Sequence, residues 1–219
     1  MPNTTITLNT DALTRARLVP YIASWSSERL TEARLIADDT GIAYKRERPS
    51  DRDDHGVLWM RHTSAPGVGT PQYKWVHPYR QRRAMGQLLC QVCGGPADRD
   101  ERGILWLVGR AENPWSGAEM TAQPPVCLRC AVPASRACPH LRGRTLALRV
   151  GHAPIVGVRG TLYLPGPSRP VRVGPASLLY GDRLISWLHA VQLFRELHDV
   201  TVVDLNEELA TTEERPCLP

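Results

Sequence analysis

Two Cys-x-x-Cys pairs, Cys90-Gln-Val-Cys93 and Cys127-Leu-Arg-Cys130, constrain this chain more than any other feature in it. Two residues between thiolates let both sulfurs turn inward onto one ion, and the glycine after Cys93 permits the tight turn. Two such pairs close a four-thiolate tetrahedral shell. The expected cofactor is one structural zinc ion on Cys90, Cys93, Cys127 and Cys130; the alternative is four reduced cysteines that merely pack. In a reducing compartment this spacing points to metal before disulfide. Cys138 and His140 follow closely. Either can substitute for a ligand of the pairs, or both can cap and pack, and a shell already closed by four ligands favours packing. Cys217, near the tail, is read as a bystander.

The residues between and after the pairs suggest a shape. Ile104–Val108 (ILWLV) reads as a strand and Ala131–Ala137 as a helix carrying the second pair, with Pro133 tolerated in its first turn. Knuckle, hairpin and helix in that order make a treble clef. The expected fold class is therefore α+β: a treble-clef-like four-cysteine zinc module with flanking short strands and two to three helices.

Elsewhere, Thr4–Leu8 alternates like a short strand. Ser27 can cap a helix to about Asp38, with Leu30, Ala33, Ile36 and Ala37 as its buried stripe and Gly41 as its stop. Residues 45–54 read as an exposed loop, 57–61 as a strand and 63–72 as linker-like coil. Pro78 fits only near a helix start, which places a basic helix at about Tyr79–Leu89. Thr145–Val150 and Ile155–Tyr163 are predicted to pair around a turn near Gly151–Pro154. An amphipathic helix is predicted from Asp182 to about Leu197, with Leu184, Trp187, Leu188, Val191 and Phe194 on one face. Val200–Val203 reads as a last strand and the acidic tail as frayed.

Charge divides the chain into three stretches. Residues 1–72 carry nine basic and nine acidic groups, 73–150 twelve and five, and 151–219 six and eight. These stretches serve as an N-terminal helix/strand region, a basic zinc-binding module and a C-terminal strand-helix-strand region, the last able to form one unit with the module. The basic excess of the middle stretch is discounted by the roughly −2 that zinc on four thiolates contributes, and it remains positive. Lys74, Arg80, Arg82 and Arg83 crowd the approach to the first knuckle, and Arg129, Arg136 and Arg142 follow the second, with Arg144 and Arg149 beyond. Arginine forks suit phosphate or carboxylate. These residues are candidates for weak duplex DNA or acidic-partner binding; the alternative is that they solvate the module. The aromatics among them, Tyr73, Trp75 and Tyr79, are too few to argue a stacking platform.

Catalysis finds little support in the residues. A nuclease of the His-Asn-His type needs a general-base histidine on the hairpin, and between Cys93 and Cys127 there is no histidine, only Asn113. A closed thiolate shell leaves no site for an activated water. Asp51, Asp53, Asp54 and His55 can gather a cation, yet such a run is usually a solvated loop. No phosphate-binding glycine loop or nucleophile elbow appears. No apolar run approaches the ~20 residues of a membrane span, and the N-terminus lacks a basic stretch followed by an apolar one. The expected location is the cytoplasm of a bacterial host.

Five stretches carry a resemblance: 30–49 (LTEARLIADDTGIAYKRERP), 55–62 (HGVLWMRH), 89–97 (LCQVCGGPA), 124–142 (PPVCLRCAVPASRACPHLR) and 198–209 (HDVTVVDLNEEL). They are similar to small zinc-binding proteins of actinobacterial phages and integrative elements, and among these to the recombination directionality factors of large serine integrases. The resemblance implies a non-enzymatic accessory protein that binds an integrase on its attachment-site DNA and biases it toward excision. It carries over no integrase-contacting residue. Trp187 and Phe194 are the candidates for a partner-facing surface if the face of the predicted C-terminal helix is not core. The alternatives are a degenerate nuclease with its base at His55, His62 or His77, and a transcription regulator contacting DNA alone.

Overall fold

The computed structural model describes residues 18–31, 34–109, 119–141, 143 and 145–213. The strand expected at Thr4–Leu8, and Asn113, Arg142, Arg144 and Cys217, lie outside them. Among the described residues, mixed helix and strand content is present, and sheet dominates. The strands are β1 (Ala23–Trp25), β2 (Leu35–Asp38), β3 (Gly41–Tyr44), β4 (Leu58–Trp59), β5 (Pro71–Val76) and β6 (Arg99–Asp100). They continue as β7 (Gly103–Gly109), β8 (Glu119–Thr121), β9 (Thr145–His152), β10 (Ile155–Leu164), β11 (Val171–Leu179) and β12 (Leu188–Val203). The helices are α1 (Pro78–Gln87), α2 (Leu128–Ala137) and α3 (Leu205–Glu213). One large sheet runs β11-β10-β12-β9-β7-β6, with β4 and β8 also on β12, so all three charge-defined stretches contribute strands to it.

The long central strand β12 replaces the helix predicted over Asp182–Leu197; only a 3-10 turn, Ile185–Trp187, precedes it. Leu184, Trp187, Leu188, Val191 and Phe194 fit a helical period. In the fold, however, Leu188, His189, Ala190, Leu193, Phe194 and Leu197 are buried at odd and even positions alike. A strand covered on both faces loses its alternation, and periodicity then no longer separates it from a helix. Trp187 and Phe194 are accordingly core and not a partner surface. Trp187 packs with Ile42, Tyr44 and Leu58, and the Phe194 ring fills the space that a side chain at Gly157 would need.

The strands at Thr145–Val150 and Ile155–Tyr163 form as predicted, but they do not pair with each other. They lie end to end along one edge of β12, with His152 opposite His198 and Ile155 opposite Arg195. Residues 153–154 are a joint in this edge, held where the Glu196 N–H donates to the Pro154 carbonyl at 3.1 Å. A hairpin would satisfy only these two strands, whereas the sixteen-residue β12 satisfies both and leaves their outer edges for β7 and β11. The helix predicted over Ser27–Asp38 is also absent. Residues 35–44 make the hairpin β2–β3, whose turn is closed by Asp38 accepting the N–H groups of Thr40 at 2.8 Å and Gly41 at 3.2 Å. Asp and Gly supply local turn chemistry that outweighs a weak helical stripe.

Helix α1 is the element that leads into the first cysteine pair, and it is fastened to β12 by side chains. Gln81 donates to the carbonyls of Leu193 and Ala122, both at 2.8 Å, and accepts the Leu193 N–H at 2.9 Å. The buried Arg195 guanidinium donates to the Met85 carbonyl at 2.7 and 3.0 Å, placing a cation on the unpaired carbonyls of the helix C-terminus. Leu88 then turns the chain at φ 53° and delivers it to Cys90.

One glycine tests the sheet directly. Gly103 opens β7 at φ +119°, and a Cβ there would stand 2.1 Å from the Val150 carbonyl oxygen. Gly103→Ala is expected to cost about 1–3 kcal/mol from backbone strain alone, read as a lower urea midpoint at unchanged slope. Gly86→Ala, on helix α1 with open space around it, should leave the midpoint unchanged or raise it.

Candidate metal centre

The first knuckle follows from the end of α1. Leu89 bridges Pro96, the Cys90 N–H donates to the Gly95 carbonyl at 2.7 Å, and the Gly94 N–H donates back to Cys90 at 2.8 Å. Gly94 sits at φ +75° with the Tyr21 ring against it, so the glycine that the sequence places after the pair is required twice over. The hairpin β6–β7 comes next, and Val126 binds back to Leu105 at 2.9 Å to aim the chain at the second pair. Cys127 is the residue before α2, and Cys130 lies in its first turn. The order is knuckle, hairpin, helix.

These elements gather Cys90, Cys93, Cys127 and Cys130, with all four sulfurs within 4.8 Å of one another. Cys93 Sγ and Cys127 Sγ are 3.8 Å apart. A tetrahedral ion with bonds of about 2.3 Å has sulfurs about 3.8 Å apart, so the donor set fits such a cation. Neither Cys138 nor His140 joins this cluster; Cys138 terminates α2 and His140 is exposed. The centre rests on a wall of Val92, Leu105, Leu107, Val126, Leu128, Ala131 and Ala134.

Electrostatics separate Cys90 and Cys130 from Cys93. Burial pushes the Cys90 thiol up to about 11. Burial and the Cys127 sulfur beside it push Cys130 up as well. Burial acts the same way on Cys93, but hydrogen bonds from the Gly95 N–H and from neighbouring thiols outweigh it and hold its thiol below the usual value. Thiolates and not thiols ligate a metal ion, so binding displaces protons and affinity rises with pH. The Cys130 and Ala131 N–H groups both donate to the Cys127 carbonyl at 3.0 Å, which fixes the first turn of α2 beside the cluster.

The basic candidates do not form one patch. Arg80 is buried and held by a two-pronged ion pair to Glu28, at 2.6 and 2.7 Å, and by the Ala23 carbonyl. Arg149 is buried among Asp98, Asp100 and Glu208 and ties α3 to the sheet. Both are structural, and neither is open to a nucleic acid. Arg82 lies over the Trp59 ring at 4.5 Å. Lys74, Arg83, Arg129 and Arg136 are exposed.

The three upstream histidines are not gathered around a reacting centre. His55 stacks on Tyr180 at 3.7 Å and His62 meets His77 edge to face at 4.7 Å. His77 is fully buried, with one ring nitrogen on the Arg80 N–H and the other on the Thr63 carbonyl at 3.0 Å. Two carboxylates of the acidic run are likewise engaged, while Asp54 is exposed. Asp51 pairs with Arg61, and Asp53 accepts from the N–H groups of His55 and Val57, the Trp59 indole and the Tyr180 hydroxyl. Residues that the sequence did not single out as a unit include Tyr44 and His189, joined at 2.7 Å beneath Trp59. Burial there lowers the His189 imidazole to about 4 and keeps it neutral.

Among the described residues no helix is long and apolar enough to cross a membrane. Comparison of the chain with family models, curated proteins and solved structures finds no match.

Proposed function

We propose that this chain is a zinc-stapled, non-enzymatic accessory protein that works by contact on a DNA-bound machine. The observation that carries the reading is closure of the cysteine cluster. Four sulfurs within 4.8 Å of one another use every position of a tetrahedral ion and leave none for a reacting water. Zinc is the ion that best suits four thiolates in this arrangement, and knuckle, hairpin and helix then make a treble-clef-like module. When bound, the ion supplies folding energy and no chemistry. Cys90 anchors it from the buried side, Cys93 closes it from the exposed side, and Cys127 and Cys130 attach α2 to the knuckle.

Two further observations support work by contact. The ring nitrogens of His77 are both occupied, and the carboxylates of residues 51 and 53 are saturated by donors of the protein itself. The concrete form is the one implied by the resemblance: a recombination directionality factor that binds a serine integrase and biases it toward excision. The test mixes purified protein with a candidate integrase and paired attachment-site substrates. Excision should rise and integration fall, with no DNA cleavage by the protein alone. Metal-dependent nicking by the protein alone, lost on changing His55, His62 or His77, would replace this reading with a nuclease. A sequence-selective duplex shift without any partner would replace it with a transcription regulator.

A further inference from the structure

One surface is unlike the rest of the molecule. Trp75 is the most exposed large apolar side chain among the described residues, at 68 %, while Trp59, Trp106 and Trp187 are all buried. Tyr73 is 56 % and Tyr79 62 % exposed. For Tyr73 and Trp75 the exposure is built into the backbone. In the β1–β5 ladder Ser24 faces Gln72 and the very next residue, Ala23, faces Val76, so residues 73–75 have no opposite number and bulge from the strand. A bulge of this kind re-aims side chains, and here it turns an aromatic–cation–aromatic triplet, Tyr73-Lys74-Trp75, to solvent. The bulge is pinned where it ends. Val76 pairs with Ala23, and the His77 N–H donates to the Ile22 carbonyl at 2.8 Å before the chain enters α1. Tyr79 and Arg83, four residues apart on that helix and both exposed, add a ring and a fork on one helical face.

The unpaired charge in the segment that carries these rings has one sign. From Asp54 to Asp98 the sequence contains no other acidic residue. Of the basic groups in that interval, Arg61 and Arg80 are neutralised by Asp51 and Glu28, which leaves Lys74, Arg82 and Arg83. Fixed aromatic faces interleaved with cations, without a carboxylate among them, match unpaired bases on a phosphate backbone: rings stack on bases, and Lys and Arg meet phosphates. A paired duplex hides its base faces and would use only the cations. We infer that the Tyr73–Lys74–Trp75 bulge, with Tyr79 and Arg83, is a binding surface for single-stranded nucleic acid. This surface does not depend on the identity of any protein partner, and it lies on side chains separate from the four metal ligands.

The experiment measures binding of the zinc-loaded full chain to a fluorescent oligothymidine and to a duplex of equal length across a salt series. The single strand should bind more tightly than the duplex and quench tryptophan fluorescence, and affinity should fall as salt rises. Trp75→Ala and Tyr73→Ala should each weaken single-strand binding about tenfold or more, with Trp75→Phe retaining most of it. Lys74→Ala should flatten the salt dependence. Because these side chains are exposed, melting temperatures should match the parent and show that the variants fold. Equal binding by Trp75→Ala and the parent would overturn the inference, as would duplex binding as tight as single-strand binding. Self-association lost in Trp75→Ala, with no oligonucleotide bound, would overturn it in favour of a contact between copies of the chain. None of these outcomes bears on the integrase assay, so the two proposals fail separately.

Discussion

Removing the metal is expected to abolish the fold of the middle stretch. A structural zinc ion on a small module contributes on the order of 10–16 kcal/mol at neutral pH, as much as the whole net stability of a typical domain. The cysteine cluster is not peripheral here. Cys90 is part of the same core as Leu105, Leu107, Val126 and Ala147, and these residues line β7, the approach to α2 and β9. Chelation should therefore lower helix and sheet signals together and shift the melting temperature by tens of degrees, with recovery on adding one equivalent of zinc. Cys93→Ser and Cys130→Ser should reproduce the loss without chelator. Acid should do the same, because each ligand must be deprotonated and burial pushes Cys90 up to about 11 when no cation is present. Elemental analysis finding less than half an equivalent of zinc in carefully purified protein would refute the centre, as would a Cys93→Ser variant of full stability.

The second large effect is expected at Arg80. Its guanidinium and the Glu28 carboxylate are both buried and meet through two hydrogen bonds. Glu28 also accepts the N–H groups of Trp25 and Ala65. Truncating one partner leaves the other charge buried and unpaired, so Arg80→Ala should cost about 3–5 kcal/mol. Arg83→Ala, on an exposed turn of the same helix, should stay within about 0.5 kcal/mol of the parent. Restoring part of the lost stability with Glu28→Gln in the Arg80→Ala background would confirm that the pair is the cause. The pH dependence has a definite sign. Burial pushes the Glu28 carboxyl up, but the Arg80 guanidinium and the two backbone N–H groups outweigh it and hold it at about 2. The stabilisation is therefore complete above the usual carboxylate value of 4.5 and is lost as pH falls from there toward 2. Denaturant midpoints that do not differ between the two arginine variants would refute this assignment.

The same arginine shows why charge counted along a sequence misleads. Arg80, Arg82 and Arg83 are neighbours in the chain, but the turn of α1 sends Arg80 inward to Glu28, lays Arg82 over Trp59 and leaves Arg83 in water. No local signal distinguishes the three, since the partners come from 52 residues away for Arg80 and from another strand for Arg82. The aromatic bulge was undervalued for the opposite reason. Tyr73 and Trp75 are ordinary core residues by type, and the missing partners on β1 leave them exposed, with Tyr79 beside them on the outer face of α1.

What the sequence determined by itself was what depends on short-range geometry. The clustering of four cysteines that could hold a metal ion, the glycine at Gly94, helices α1 and α2, and strands β7, β9 and β10 were all legible. Each rests on spacing or backbone preference over a few residues, which no distant contact needs to supply. Tertiary structure alone decided that 188–203 is a strand, that β9 and β10 share one edge of it, and that 35–44 is a hairpin. A segment buried on every side has no period to read, and pairing partners are chosen by which edges remain open once the whole chain has collapsed.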